Sequence, residues 1–171
     1  MGKLKMAKIL AHDDIQAYKN NLLMQIVSNE NIEKAIDSKS PKYVPGQGDT
    51  LIGENVLPML RIPDIQKDTE TMICVEVDII SEAKNRAFHR WRITIWVMSH
   101  RDHIMWREKG CSRIDYISDE LRRLLQNDLG YGFGILNLTS NKVIQVNPKY
   151  TYRALEFMTF DLKQSLSVRH K

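Results

Sequence analysis

No apolar run in this sequence approaches the roughly 18 to 20 residues that a membrane-spanning helix requires, so no such span is expected. Cysteine is scarce: Cys74 and Cys111 are the only two in 171 residues. Two cysteines cannot staple a chain of this length into a disulfide scaffold, and free thiols in a reducing compartment are the simpler expectation. Neither sign of charge dominates. Lys and Arg number 25 against 21 Asp and Glu, a formal charge of +4. That excess is too slight to argue by itself for a charge-driven nucleic-acid ligand. The start, Met1-Gly2-Lys3-Leu4-Lys5, carries positive charge but leads into no apolar core or small-residue cleavage site, and Met6 stands where a myristoylation pattern needs Ser or Thr. Neither a secretory signal nor a lipid anchor is expected. Catalytic motifs are missing too. There is no Gly-x-Ser-x-Gly elbow, no phosphate-loop lysine motif, and no Cys/His pair at catalytic spacing. Gly130-x-Gly132-x-Gly134 follows a helix instead of opening one, so it reads as a flexible loop carrying Tyr131 and Phe133.

What the sequence does have is patterned structure. Hydrophobic residues make up 43% and charged residues 27%, an ordinary balance for a globular domain with a real core. One domain over residues 1–171 is expected. From Met72, the residues Ile73, Val75, Val77 and Ile79 alternate with Cys74, Glu76 and Asp78. A second run sets Trp91, Ile93, Ile95 and Val97 against Arg90, Arg92 and Thr94. A period of two is what a half-buried strand demands, because successive side chains point to opposite faces. The polar stretch Ser81 to Arg86 between them reads as a hairpin loop. Ser112, with Asp115 three residues on, starts a helix whose apolar stripe is Ile114, Ile117, Leu121, Leu124 and Leu125. An earlier helix is expected from Asp13 as cap, with Gln16 answering it and Ile15, Tyr18, Leu22 and Ile26 on one face. A shorter turn surrounds Ile32, Ala35 and Ile36. A short strand over 142–146, a final strand over 151–160 and a frayed tail at 165–171 complete the reading. The fold class is α+β: an antiparallel sheet of about four strands flanked by helices.

Two features stand outside this scaffold. Residues 40–63 hold four of the five prolines, with Gly46, Gly48 and Gly53, yet also Val56, Leu57, Met59, Leu60 and Ile62. Proline fixes its own backbone and lacks the amide donor, so the segment is neither an interior strand nor a helix interior. It either packs irregularly over its own sheet or docks on a partner. The second feature is the strand face with Arg90, Arg92 and Trp96, flanked by Phe88 and Met98. Arg and Trp are enriched at the centres of interfaces. A helix of the same chain covering that face is the plainer alternative. The candidate interface residues are therefore Val56, Leu57, Met59, Arg92, Trp96, Tyr131 and Phe133.

His100, Asp102, His103 and Cys111 lie close in sequence. Zinc needs three or four converging donors, and a single His-x-x-His on a loop reads more simply as loop histidines. Pro63-Asp64, followed by Glu76-Val77-Asp78, supplies the acids of a Pro-Asp…(Asp/Glu)-x-Lys nuclease pattern, but Asp78 occupies the lysine's place. Without that lysine, water activation loses its usual partner, and the acids read more simply as a strand's polar face. No catalytic residue, metal or cofactor is expected.

Four blocks carry a resemblance: Val56-Leu57-Pro58 to Ile62-Pro63, Ile73-Cys74-Val75-Glu76-Val77-Asp78, the Ile93 to His100 strand, and Ser112-Arg113-Ile114-Asp115-Tyr116-Ile117. In this order they resemble neck proteins of tailed bacteriophages, above all the tail terminator, or tail-completion, family. The resemblance spans residues 50–160, and residues 1–50 carry none of it. It implies a small α+β subunit that forms a ring, commonly a hexamer, closing the tail tube and meeting the head connector. The implied place is the neck of the virion, after assembly in the host cytoplasm. The implied partners are further copies, the tail tube protein and head connector or completion proteins, with DNA only passing through and no membrane. A head-completion or connector protein is the alternative in the same setting. A divergent metal-dependent nuclease using Asp64 and Glu76 is the alternative from another class.

Overall fold

The Trp91–Val97 alternation and the Ile73–Val77 alternation meet on one side of a single sheet, and that side becomes the core. The computed structural model describes residues 15–62, 70–82, 88–126, 128, 135–145 and 148–162. In chain order these form helix α1 (Ile15–Val27), helix α2 (Glu30–Ile36), a short 3-10 turn (Gly48–Leu51) and strand β1 (Val56–Leu57). Then come β2 (Thr71–Glu82), β3 (Phe88–His100), β4 (Met105–Trp106), β5 (Cys111–Ser112), α3 (Arg113–Leu125), β6 (Asn137–Gln145) and β7 (Tyr150–Leu162). The main sheet has the order β1-β2-β3-β7-β6, and β4-β5 is a separate two-stranded ribbon.

The sheet is mixed and five-stranded, not antiparallel and four-stranded. The four long strands are antiparallel as expected, but β1 joins β2 in parallel through Val56↔Ile73 and Leu57↔Cys74. A two-residue strand inside a proline-rich connection has no period to read. It forms because Asn55 is locked beneath it: its carbonyl accepts from Ile73 N–H at 2.7 Å and its side-chain amide donates to the Thr71 carbonyl at 3.0 Å. β6 also begins earlier than expected. Its first half, Asn137 to Asn141, shows no alternation because as an edge strand it lies largely in solvent. Val146 lies outside the described residues.

The helices start where capping chemistry dictates. Ser112 Oγ accepts the Asp115 N–H at 3.1 Å and donates to the Asp115 carboxylate at 2.5 Å, opening α3. Asn29 does the same work for α2, accepting from Asn31 N–H at 2.9 Å and Ile32 N–H at 3.2 Å. The expected Asp13 cap lies outside the described residues, as do most of the hairpin loop and the tail at 165–171. Ile15 is exposed, whereas Tyr18, Leu22 and Ile26 are buried as the spacing requires.

All three helices lay their apolar faces on the same side of the sheet. Leu22, Ile26, Ile32, Ile36, Ile117 and Leu121 pack there against Ile73, Val75, Trp91, Ile93, Ile95 and Phe157. Tyr18 meets Trp91 with ring centroids 4.9 Å apart. Glycine matters at one point of this packing: a Cβ on Gly48 would stand 1.9 Å from the Val27 carbonyl oxygen, so the 3-10 turn reaches the end of α1 only without a side chain. On the opposite side a smaller cluster forms from Leu57, Met72, Cys74, Met98, Tyr150 and Tyr152, with Trp96 packed against it.

Ile95 is fully buried between the neighbouring strands and the helices. Ile95→Ala should lower unfolding free energy by about 2 to 5 kcal/mol, read as a shift in the urea midpoint. An unchanged midpoint would contradict the burial of this strand face against the helices.

Candidate functional site

The end of β3 and the loop that follows it place two histidines in different surroundings. His100 is buried and stacks edge-on to Tyr150, with centroids 5.1 Å apart. His103 turns the other way, into a chain of polar groups at the end of the sheet. Its Nε2 lies 3.1 Å from Asp37 Oδ2, and its Nδ1 lies 3.3 Å from Thr71 Oγ1, which in turn lies 2.9 Å from Ser99 Oγ. An Nε2–H donated to the carboxylate leaves Nδ1 to accept from Thr71, so the chain runs hydroxyl to imidazole to carboxylate. Arg113 closes it. Its guanidinium donates to Asp37 Oδ2 at 3.3 Å, to the Ala35 carbonyl at 2.9 Å and to the His103 carbonyl at 3.0 Å. Trp106 lies 5.4 Å from the guanidinium carbon, ring face toward it.

This order of groups is that of a nucleophilic triad, but its hydroxyls cannot meet a substrate. Thr71 and Ser99 are each 0% exposed. What the chain does is mechanical: it ties the end of α2, the loop after β3 and the first turn of α3 to the sheet. Asp37 sits in the left-handed region at φ 49°, a conformation costly for a residue with a side chain. Its three partners hold it there. Burial raises the Asp37 pKa, but the hydrogen bonds from Lys39 and His103 and the nearby Arg113 more than offset it, leaving it below the ordinary 3.8. Burial lowers the His103 pKa below 6.5, and the Asp37 hydrogen bond only partly restores it.

Beside this network opens a cleft of about 800 Å³ whose lining includes Tyr43, Pro45, Met105, Trp106 and Arg113. Tyr43 donates to Glu33 at 2.9 Å, and burial together with that carboxylate pushes its hydroxyl up to about 12. Cys111 lies on β5, and among the described residues no three His, Cys, Asp or Glu side chains converge as a metal site would require.

The Arg92–Trp96 face lies on the side of the sheet away from the helices. The expectation that a helix of the same chain covers it does not hold for the described helices, which all pack on the other side. Arg92 pairs with Asp78 at 3.1 Å, and Trp96 is half-buried against the smaller cluster. The proline-rich segment divides in two. Val56 and Leu57 are buried in the subunit's own packing, so neither side chain is left to a neighbour. Beyond them the chain turns outward: Met59 is 61% exposed and Ile62 68%. Glu76 anchors this tongue, accepting from Leu60 N–H at 3.1 Å and from Lys19 Nζ at 2.8 Å. Asp64, Tyr131 and Phe133 lie outside the described residues.

The sequence pattern does not reveal Asp37, Arg113 or the Trp106 ribbon as parts of one site. Arg113 has the look of a helix-start surface residue, and nothing local says that its partner is seventy-odd positions away.

The YomW family model matches residues 20–159. The chain belongs to the YomW family. That family is phage-derived. The matched span takes in most of α1 and every later element through most of β7, so the polar network, the cleft and the outer sheet face are all parts of the YomW domain. No curated protein matches the chain significantly. Among the described residues, no helix is long and apolar enough to cross a membrane.

The network sets a pH dependence. Unfolded His103 takes up a proton near 6.5 while the folded residue resists it, so stability falls as pH drops below 6.5 toward the lowered folded value. Asp37 acts in a lower window: its contribution is present above 3.8 and is lost as pH falls through its depressed folded value. His103→Gln should flatten the upper part of the acid limb, measured by chemical denaturation at stepped pH. An unchanged slope would show that His103 titrates alike in both states.

Proposed function

We propose that this YomW-family chain is a virion structural protein, a ring-forming tail terminator that closes the tail tube and meets the head connector. The observation that carries the reading is an exposed apolar surface on a subunit of phage-derived family. Met59, Leu60 and Ile62 project from a tongue that is hydrogen-bonded at its root, while the outer sheet face offers Arg92 and Trp96. Apolar side chains held outward in this way mark a partner surface. Six or so copies in a ring would each lend one patch to the next, since a ring contact joins unlike surfaces. The remaining surface would meet the tail tube protein on one side and head connector or completion proteins on the other, with DNA threading the ring. The subunit's role is mechanical, and no catalytic step is assigned to it.

A head-completion protein would share most of these features and differ in which neighbour it meets. The nuclease alternative has less support. Glu76 is held by Lys19 and the Leu60 amide, and Asp78 by Arg92. A metal would have to displace both sets of partners.

Deleting the gene from its phage should leave filled heads and separate tails in the lysate, seen by negative-stain electron microscopy, with joining restored by the protein in trans. Tails of irregular length would mark a terminator, and normal tails beside unjoined heads a head-completion protein. Intact infectious particles in the deletion would remove both.

A further inference from the structure

Among the described residues the sheet has two open edges, and they match. On one side β6 has no strand beyond it among the described residues. On the other, β1 covers β2 only at Ile73 and Cys74. Each open stretch carries two adjacent apolar residues in solvent. They are Val143 (54% exposed) and Ile144 (44%) on β6, and Ile79 (41%) and Ile80 (40%) on β2. An uncovered edge of this kind invites another strand, and natural monomers usually blunt it with charge. Here the charge instead sorts the edges. β2 presents Asp78, still half-exposed beside Arg92, and Glu76, whose carboxylate Lys19 and the Leu60 amide hold, whereas β6 presents Lys142 and no acidic residue.

We infer that β6 of one copy pairs antiparallel with the open part of β2 of the next, continuing the sheet from subunit to subunit. Strand direction fits this, and β2 is regular up to its register irregularity between Ile79 and Ser81. β2, β3, β7 and β6 alternate along the sheet, so β2 and β6 run opposite ways. A second subunit in the same orientation therefore meets the first with an antiparallel pair, and its helices stay on the same side. Pairing like edges is worse: β2 on β2 brings acids together, and β6 on β6 brings lysines together. Side-chain facing fits as well. Val143 shares a face with Arg153, which reaches Asp115 of α3, and Ile79 shares a face with Trp91. Val143 opposite Ile79 thus forms an apolar pair on the helix side. On the other side Lys142 then falls one diagonal step from Asp78, within reach of a long side chain. The occupant of each edge is a second copy of this chain.

This inference names the contact within the proposed ring and rests on that reading for closure. Sedimentation of the full-length chain tests it with two single variants at exposed positions, Ile144→Asp, which would face Asp78, and Ile79→Asp, which would face Val143, each checked for an unchanged melting curve. The wild type should sediment as an assembly and each variant as a monomer. Mixed together, the variants should form a dimer and nothing larger, because one intact β6 edge meets one intact β2 edge. Variants that keep the wild-type mass would overturn the edge contact and leave the ring reading standing. One variant dimerising alone would mean like edges pair, which overturns the contact as drawn. A monomeric wild type at all concentrations would overturn both the contact and self-assembly into a ring.

Discussion

Strand β3 is the constraint from which the rest follows. Over Phe88–His100 it is paired with β2 on one side and β7 on the other, so its backbone groups are consumed in the sheet and only its two faces remain to be used. One face is apolar from Trp91 to Val97, where Trp91, Ile93, Ile95 and Val97 receive all three helices. The other alternates Arg92, Thr94 and Trp96 before ending in Met98. That second face buries Thr94, Met98 and His100 in the same subunit but leaves Arg92 and Trp96 only half-buried. The arginine- and tryptophan-bearing face is thereby turned toward whatever lies outside.

The helices alone would leave the end of the sheet loose. The Arg113 guanidinium prevents this by binding carbonyls from α2 and from the loop after β3 together with the Asp37 carboxylate. A buried charge removed from such a setting is costly, because its partners are left desolvated and unpaired. The hydroxyl–imidazole–carboxylate chain beside it has the connectivity of a catalytic triad without the access, which shows why geometry must be read together with burial. Rigidity at this end would suit the proposed ring subunit, which has to present fixed surfaces to neighbours.

The long strands and α3 are legible in the sequence because local pattern and tertiary role agree in them. Period-two alternation in β2 and β3 matches a sheet with one covered face, and Ser112 with Asp115 marks the start of α3. Where the two part company the reading fails. β1 is too short to carry a period, and the edge position of β6 removes the pressure for alternation in its first half. The Asp37–His103–Arg113 network joins residues far apart in sequence, so no local signal could assemble it. The proline-rich segment admits two readings because it divides: its Val56-Leu57 step is core, while Met59 and Ile62 face outward. The tail-terminator assignment rests on resemblance and on surface chemistry, and the YomW match carries it as far as a phage-derived family.

The most direct measurement of that assignment is a cryo-electron microscopy map of the virion that carries this protein, at a resolution that separates strands. The account predicts a closed ring of this fold at the junction of head and tail, with its helices on one side of the sheet and the Met59–Ile62 tongue against a neighbouring chain. A neck fully accounted for by other proteins, with no copy of this fold in the particle, would contradict it.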